Sequence, residues 1–152
     1  MCRDARGHAA KGLLAAAIAL LACIACSSPN PGAGAGDGGA FPADPYTTVV
    51  STSGQLTVAV RTSPQPPEVG TNDVQLAITQ TSDGSSVDGL TLTVAPIMPS
   101  MGHGTSATTV TDQGGGIYLV SSVYLPMQGT WTLRTTISAP ISDDAAPQLE
   151  IQ

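Results

Sequence analysis

The stretch Gln55-Leu56-Thr57-Val58-Ala59-Val60-Arg61 alternates large apolar residues with small or polar ones. A period of two places Leu56, Val58 and Val60 on one face of an extended chain; a helix would scatter them around its surface. The same pattern recurs downstream. Asp73 to Gln80 carries Val74, Leu76 and Ile78 on one face, and Leu90, Leu92 and Val94 form the next face, with Pro96 expected to end that strand. Ala107 to Thr111 is a short strand candidate, broken by Gly114-Gly115-Gly116, which reads as a turn. Ile117 to Leu125 is apolar on both faces, with Ile117, Leu119 and Val123 on one and Tyr118, Val120 and Tyr124 on the other, as expected of a central strand. Thr130 to Ser138 aligns Trp131, Leu133, Thr135 and Ile137, with Trp131 read as a core residue, and Gln148 to Gln152 is a weaker last strand.

The punctuation agrees with the strands. Ser63-Pro64-Gln65-Pro66-Pro67-Glu68-Val69-Gly70 holds too much proline for a central strand. Ser82-Asp83-Gly84-Ser85-Ser86 is a turn, because Asp-Gly tolerates the positive φ that tight turns require. No segment after residue 45 shows helical periodicity. Short strands punctuated by glycine and proline over residues 46–152 predict an all-β chain, an immunoglobulin-like β-sandwich of about seven strands.

Upstream the texture changes twice. Residues 23–45 are dominated by glycine, alanine and proline, with Phe41 as the one large aromatic. Such a segment buries too little apolar surface to offset its ordering entropy and is expected to be a flexible tether. Residues 1–22 carry the basic Arg3, Arg6 and Lys11, then an apolar run from Leu13 to Ala22. That run is too short for a permanent membrane span and has the form of a signal peptide. It ends in Leu20-Leu21-Ala22-Cys23, followed by Ile24-Ala25-Cys26, which resembles a bacterial lipobox. The resemblance implies a lipidated cysteine at the mature N-terminus: Cys23, with a leucine three residues upstream, or alternatively Cys26. An ordinary secretory leader with incidental cysteines is the competing reading.

Composition narrows the function. All three cysteines, Cys2, Cys23 and Cys26, lie in the leader or at its end, so the folded part has neither disulfide nor thiolate site. Removal of residues 1–22 leaves Arg61 and Arg134 against ten acidic residues, a formal charge of −8 from two positive and ten negative groups. That balance gives no footprint for nucleic acid and disfavours adsorption to anionic lipid. A membrane partner would be reached through the lipid anchor.

Candidate chemistry is confined to two segments. Met98-Pro99-Ser100-Met101-Gly102-His103-Gly104 holds two of the four methionines, and Leu125-Pro126-Met127-Gln128-Gly129 holds a third. His8 falls in the leader, so His103 is the histidine of the mature chain. Thioether sulfur is a soft neutral ligand and imidazole a borderline one, a combination that suits Cu(I) better than zinc, magnesium or calcium. Thioethers also form no disulfides in an oxidising compartment. Proline stiffens one side of the loop, and the glycines beside His103 let it curl, so Met98, Met101 and His103 could converge. Met127 could reach the same end of a sandwich. The competing reading is that Met98 and Met127 fill gaps in the core and that His103 is idle. The chain contains no Gly-x-Ser-x-Gly elbow, Walker loop or His-Glu-x-x-His, and no nucleophile with a spaced partner points to His103, so binding is expected and catalysis is not.

These residues resemble the YtkA-like domain family, small extracytoplasmic β-sandwich domains. The resemblance is carried by Met98–His103 as a Met-Pro-x-Met-x-His-like segment, Gly116-Ile117-Tyr118 as a Gly-x-Tyr strand, and Met127-Gln128-Gly129-Thr130-Trp131 as a Met-x-Gly-x-Trp turn. Val69-Gly70-Thr71-Asn72-Asp73 is similar to the family's entry to its second main strand. The proline-rich 63–67 and the Ser82–Ser86 turn depart from the pattern, and neither touches the candidate ligands. The resemblance implies copper handling, through delivery to oxidase assembly or partnership with an efflux system. Two readings follow: a lipid-anchored Cu(I) carrier, or a metal-free immunoglobulin-like interaction module of the cell envelope.

Overall fold

The computed structural model describes residues 40–152. The signal peptide over 1–22, Cys23, Cys26 and the tether as far as residue 39 lie outside the described residues. Ten strands follow one another: β1 (Thr47–Val50), β2 (Leu56–Ser63), β3 (Gly70–Gln80), β4 (Thr91–Met98), β5 (His103–Gly104), β6 (Val110–Gly114), β7 (Ile117–Leu125), β8 (Gly129–Ala139), β9 (Asp143–Ala145) and β10 (Gln148–Ile151). They form two antiparallel sheets. One runs β1-β2-β3-β7-β6; the other runs β10-β8-β4-β5, with β9 also paired to β8. The architecture is the expected all-β sandwich. No helix among the described residues is long and apolar enough to cross a membrane.

Alternation explains the core. Val58 lies opposite Ile78, and Val60 opposite Leu76, so the inward faces of β2 and β3 coincide. These residues meet Val94, Trp131, Leu133 and Ile137 of the other sheet, all buried. Tyr118 is buried as well; its hydroxyl donates to the Val87 carbonyl at 2.8 Å and accepts from the Leu90 N–H at 3.0 Å. A phenol so anchored satisfies its polar end without leaving the core.

Four details depart from the sequence-based expectation. First, β1, β5 and β9 are added to the seven anticipated strands; none exceeds four residues, too few to display a period. Second, β4 does not end at Pro96 but continues to Met98. The Pro96 carbonyl accepts from the Thr105 N–H at 3.0 Å, on the side away from β8. In an antiparallel strand the N–H and C=O of one residue face the same side, so the missing N–H costs the β4–β8 ladder nothing.

Third, the two faces of β7 are not those the simple alternation gives. Tyr118, Val120, Val123 and Leu125 point inward, while Ile117 and Leu119 are half-buried and Tyr124 is exposed. Between Val120 and Val123 the chain inserts a bulge: Asn72 pairs with Val123 and Val74 with Val120, so Ser121 and Ser122 together oppose Asp73. Ser122 takes a left-handed φ of 57°, and its N–H donates to Asp73 Oδ1 at 2.9 Å. One extra residue reverses the phase of everything beyond it. The strand is nonetheless interior to its sheet, between β3 and β6.

Fourth, the strand expected over Ala107–Thr111 begins at Val110, because Thr108 bridges to Val94 in the opposite sheet while the chain crosses between sheets. The glycine turn is as expected: Gly114 pairs with Ile117, leaving Gly115 and Gly116 at φ 65° and 75° as a two-residue hairpin turn.

At the near end of the expected tether, Ala43 and Asp44 lie along the domain. Arg61 Nε and Nη2 each donate to the Ala43 carbonyl at 3.1 Å, and Gln65 Nε2 donates to the Asp44 carbonyl at 3.1 Å.

Candidate metal centre

The registers place the two methionine segments at one end of the sandwich. Ile97 of β4 pairs with Thr132 of β8, so β4 ends where β8 begins. β7 also ends there, since Leu125 pairs with Gly70 at the start of β3. The loop 99–102 and the crossover 126–128 are therefore neighbours.

The first segment is a hairpin. Met98 pairs with His103 and Ile97 with Gly104. Between them Pro99–Met101 makes one 3-10 turn, closed by Gly102 at φ 66°, ψ 20°, whose N–H donates to the Pro99 carbonyl at 3.3 Å. Proline opens such a turn readily because its φ is already set and no N–H is wasted. Glycine closes it because the left-handed conformation carries no Cβ penalty. Gly104 has a different reason to be glycine: a Cβ there would stand 2.5 Å from the Pro96 carbonyl oxygen. The glycines flanking His103 thus fix the turn and its close approach to β4.

Residues directly opposite on paired strands project to the same face. Met98 and His103 consequently both project to the inner face of the sheet, at its open end. Met98 is buried, 3% exposed, while His103 is exposed. The His103 ring meets Trp131 with centroids 6.2 Å apart at an interplanar angle of 73°, an edge-type contact. Trp131 in turn donates from Nε1 to the Met127 carbonyl at 2.9 Å. Met127 is half-buried against the core. The Met98 methyl reaches within 3.4 Å of where a Cβ on Gly129 would be. Met98, His103, Trp131 and the Met127 turn are thus gathered at one rim. Met101 stands at the tip of the 3-10 turn, 61% exposed.

The four anticipated residues are therefore not alike. Met98 and Met127 pack at the end of the core, as the gap-filling reading of thioethers requires. Met101 and His103 face solvent above them. Among the described residues no three His, Cys, Asp or Glu side chains cluster. The candidate donors at this rim are soft, uncharged thioether sulfur and the borderline imidazole of His103. Such a set matches a soft monovalent ion and lacks the oxygens a hard cation needs.

Trp131 was expected in the core and is there, fully buried. Its contact with His103 was not foreseen. The signal lay in the spacing: Trp131 follows Met127 by four positions, which lets the indole N–H reach back to the turn that precedes its own strand. A cleft of about 530 Å³ adjoins the hairpin, lined by Gly104, Thr105, Thr108, Ser121, Ser122 and Tyr124 among others, without charged side chains. It begins one residue past His103 and includes none of the four candidate ligands.

No curated protein and no solved structure gives a significant match to the chain. A family match does: the family described as YtkA-like covers residues 51–136, more than half of the sequence and all of Met98, Met101, His103, Met127 and Trp131. With two antiparallel sheets and both methionine segments inside the matched region, the chain belongs to the YtkA-like family.

Proposed function

We propose that this protein is an extracytoplasmic, lipid-anchored copper-binding protein that carries Cu(I) and passes it to a recipient in oxidase assembly or copper efflux. Met98, Met101 and His103 would hold the ion, with Met127 as a further ligand. The observation that supports this most is the convergence of two methionine segments, 26 residues apart between Met101 and Met127 in sequence, beside the one histidine of the described residues. When bound, the ion supplies no chemistry beyond its own transfer. The chain's part is to present neutral thioethers and one imidazole at an open rim. Without thiolates such a set releases its ion readily to a stronger ligand, which suits a carrier.

The structure dictates how to test this. Met98 is a core residue, so Met98→Ala would cost about 2–5 kcal/mol through cavity formation and confound a binding loss with unfolding. Leucine removes the sulfur at nearly constant volume. Cu(I) titration against a competing chelator should show stoichiometric binding by the wild type and a loss of at least about a hundredfold in Met98→Leu/Met101→Leu/His103→Ala. Equal binding by both proteins would sink the copper reading and leave the metal-free interaction module.

A further inference from the structure

The one tryptophan of the chain does two things that core packing does not ask of it. Its Nε1 donates to the Met127 carbonyl at 2.9 Å, which fixes the turn carrying Met127. Its ring also meets His103 at 6.2 Å between centroids, and His103 lies across the hairpin from Met98. The indole is thus the common neighbour of both methionine segments. It is fully buried, while His103 beside it is exposed, so the imidazole stands between the indole and solvent. An edge-type ring contact of this kind limits where the imidazole can stand, and the N–H bond limits where the Met127 turn can stand.

Resting on the copper reading above, we propose that Trp131 is a positioning residue of the soft-metal site. It holds the Met127 turn through its N–H and backs His103 with its ring, so that the imidazole and both methionine segments stand at one rim. A tryptophan placed only for packing would fill the same volume without responding to the ion.

Because the chain has a single indole, its emission and its single indole N–H resonance report on this residue alone. Titration of the wild type with Cu(I), or with Ag(I) as a redox-inert soft monovalent ion, should change the emission and shift the indole resonance, saturating near one equivalent. Zn(II) at the same concentration should do neither. Trp131→Phe, which keeps a ring and loses the N–H that holds the Met127 turn, should weaken Cu(I) binding in chelator competition by about tenfold. Should that variant fail to fold, the wild-type resonance still decides. Chelator competition showing tight Cu(I) binding with an unmoved indole resonance overturns this inference while the copper reading survives. So does unchanged affinity in a folded Trp131→Phe. No binding in competition at all overturns the copper reading itself.

Discussion

Asp143 shows how much one side chain can carry in a sandwich without disulfides. It is 7% exposed, and its carboxylate accepts from the Ser53 N–H at 3.0 Å, the Ser53 hydroxyl at 2.5 Å and the Asp144 N–H at 2.9 Å. Asp143 belongs to β9 in one sheet, and Ser53 to the β1–β2 turn of the other, so these bonds clamp the two sheets at the end opposite His103. Burial by itself would raise the carboxyl pKa. The hydroxyls of Ser51 and Ser53 and the backbone N–H groups of Ser53 and Asp144 outweigh it and bring the pKa from 3.8 down to about 2. A group depressed on folding stabilises the native state above its unfolded pKa and loses that contribution as pH falls through the folded value. Asp143→Asn should therefore lose about 2 kcal/mol at pH 7, the scale of charge-assisted hydrogen bonds. The gap between wild type and variant in urea melts should narrow from pH 4 towards pH 2. A gap that stays constant with pH would show that the carboxylate's charge contributes nothing.

At the scale of the element, the β4–β5 hairpin is what gives the rim its shape. β5 has only two residues, and it reaches β4 because Gly104 lacks a Cβ that would lie 2.5 Å from the Pro96 oxygen and 3.3 Å from Ile97 Cγ1. Gly104→Ala cannot be absorbed by a flexible side chain, since the nearest atom is backbone. The short edge strand must move instead, taking His103 away from Trp131. The core barely notices an edge of this length, so thermal stability should fall by less than about 1 kcal/mol. Cu(I) affinity in chelator competition should fall by about tenfold. An unaltered affinity would mean that the hairpin geometry does not set the site. The existence of this hairpin was only half legible in the sequence. Pro99, Gly102 and Gly104 announce a turn, but a two-residue strand has no period, and Pro96 argued for an earlier stop. The proline is tolerated because its carbonyl faces Thr105, just past β5, and not β8, a fact of register that no local pattern carries. The same holds for β7, where the insertion of Ser122 reverses the phase and turns Val123 inward.

For the whole molecule, period-two alternation was enough to give two sheets and most of the buried face, because a half-buried strand imposes that period on every residue. It could not give the proximity of Met98, Met127 and Trp131, which depends on which strands pair across the sandwich. The same whole-chain view bears on how the protein is held in place. Beyond residue 22, two arginines face ten acidic residues, a balance that disfavours binding to an anionic leaflet. No helix among the described residues is long and apolar enough to cross a membrane. In the proposed reading an acyl group on Cys23, or on Cys26, supplies the attachment, which would be hydrophobic and insensitive to salt. In cell fractions the full-length protein should stay with the membrane through a high-salt wash and leave it in detergent, whereas an electrostatically adsorbed protein would do the reverse at the first step. Cys23→Ser should move it to the soluble fraction, with Cys26→Ser unchanged; the opposite pair of results would assign the lipid to Cys26. Wild-type protein found wholly soluble would remove the anchor, and Ala43 and Asp44, held by Arg61 and Gln65, would then begin the domain without being the end of a lipid tether.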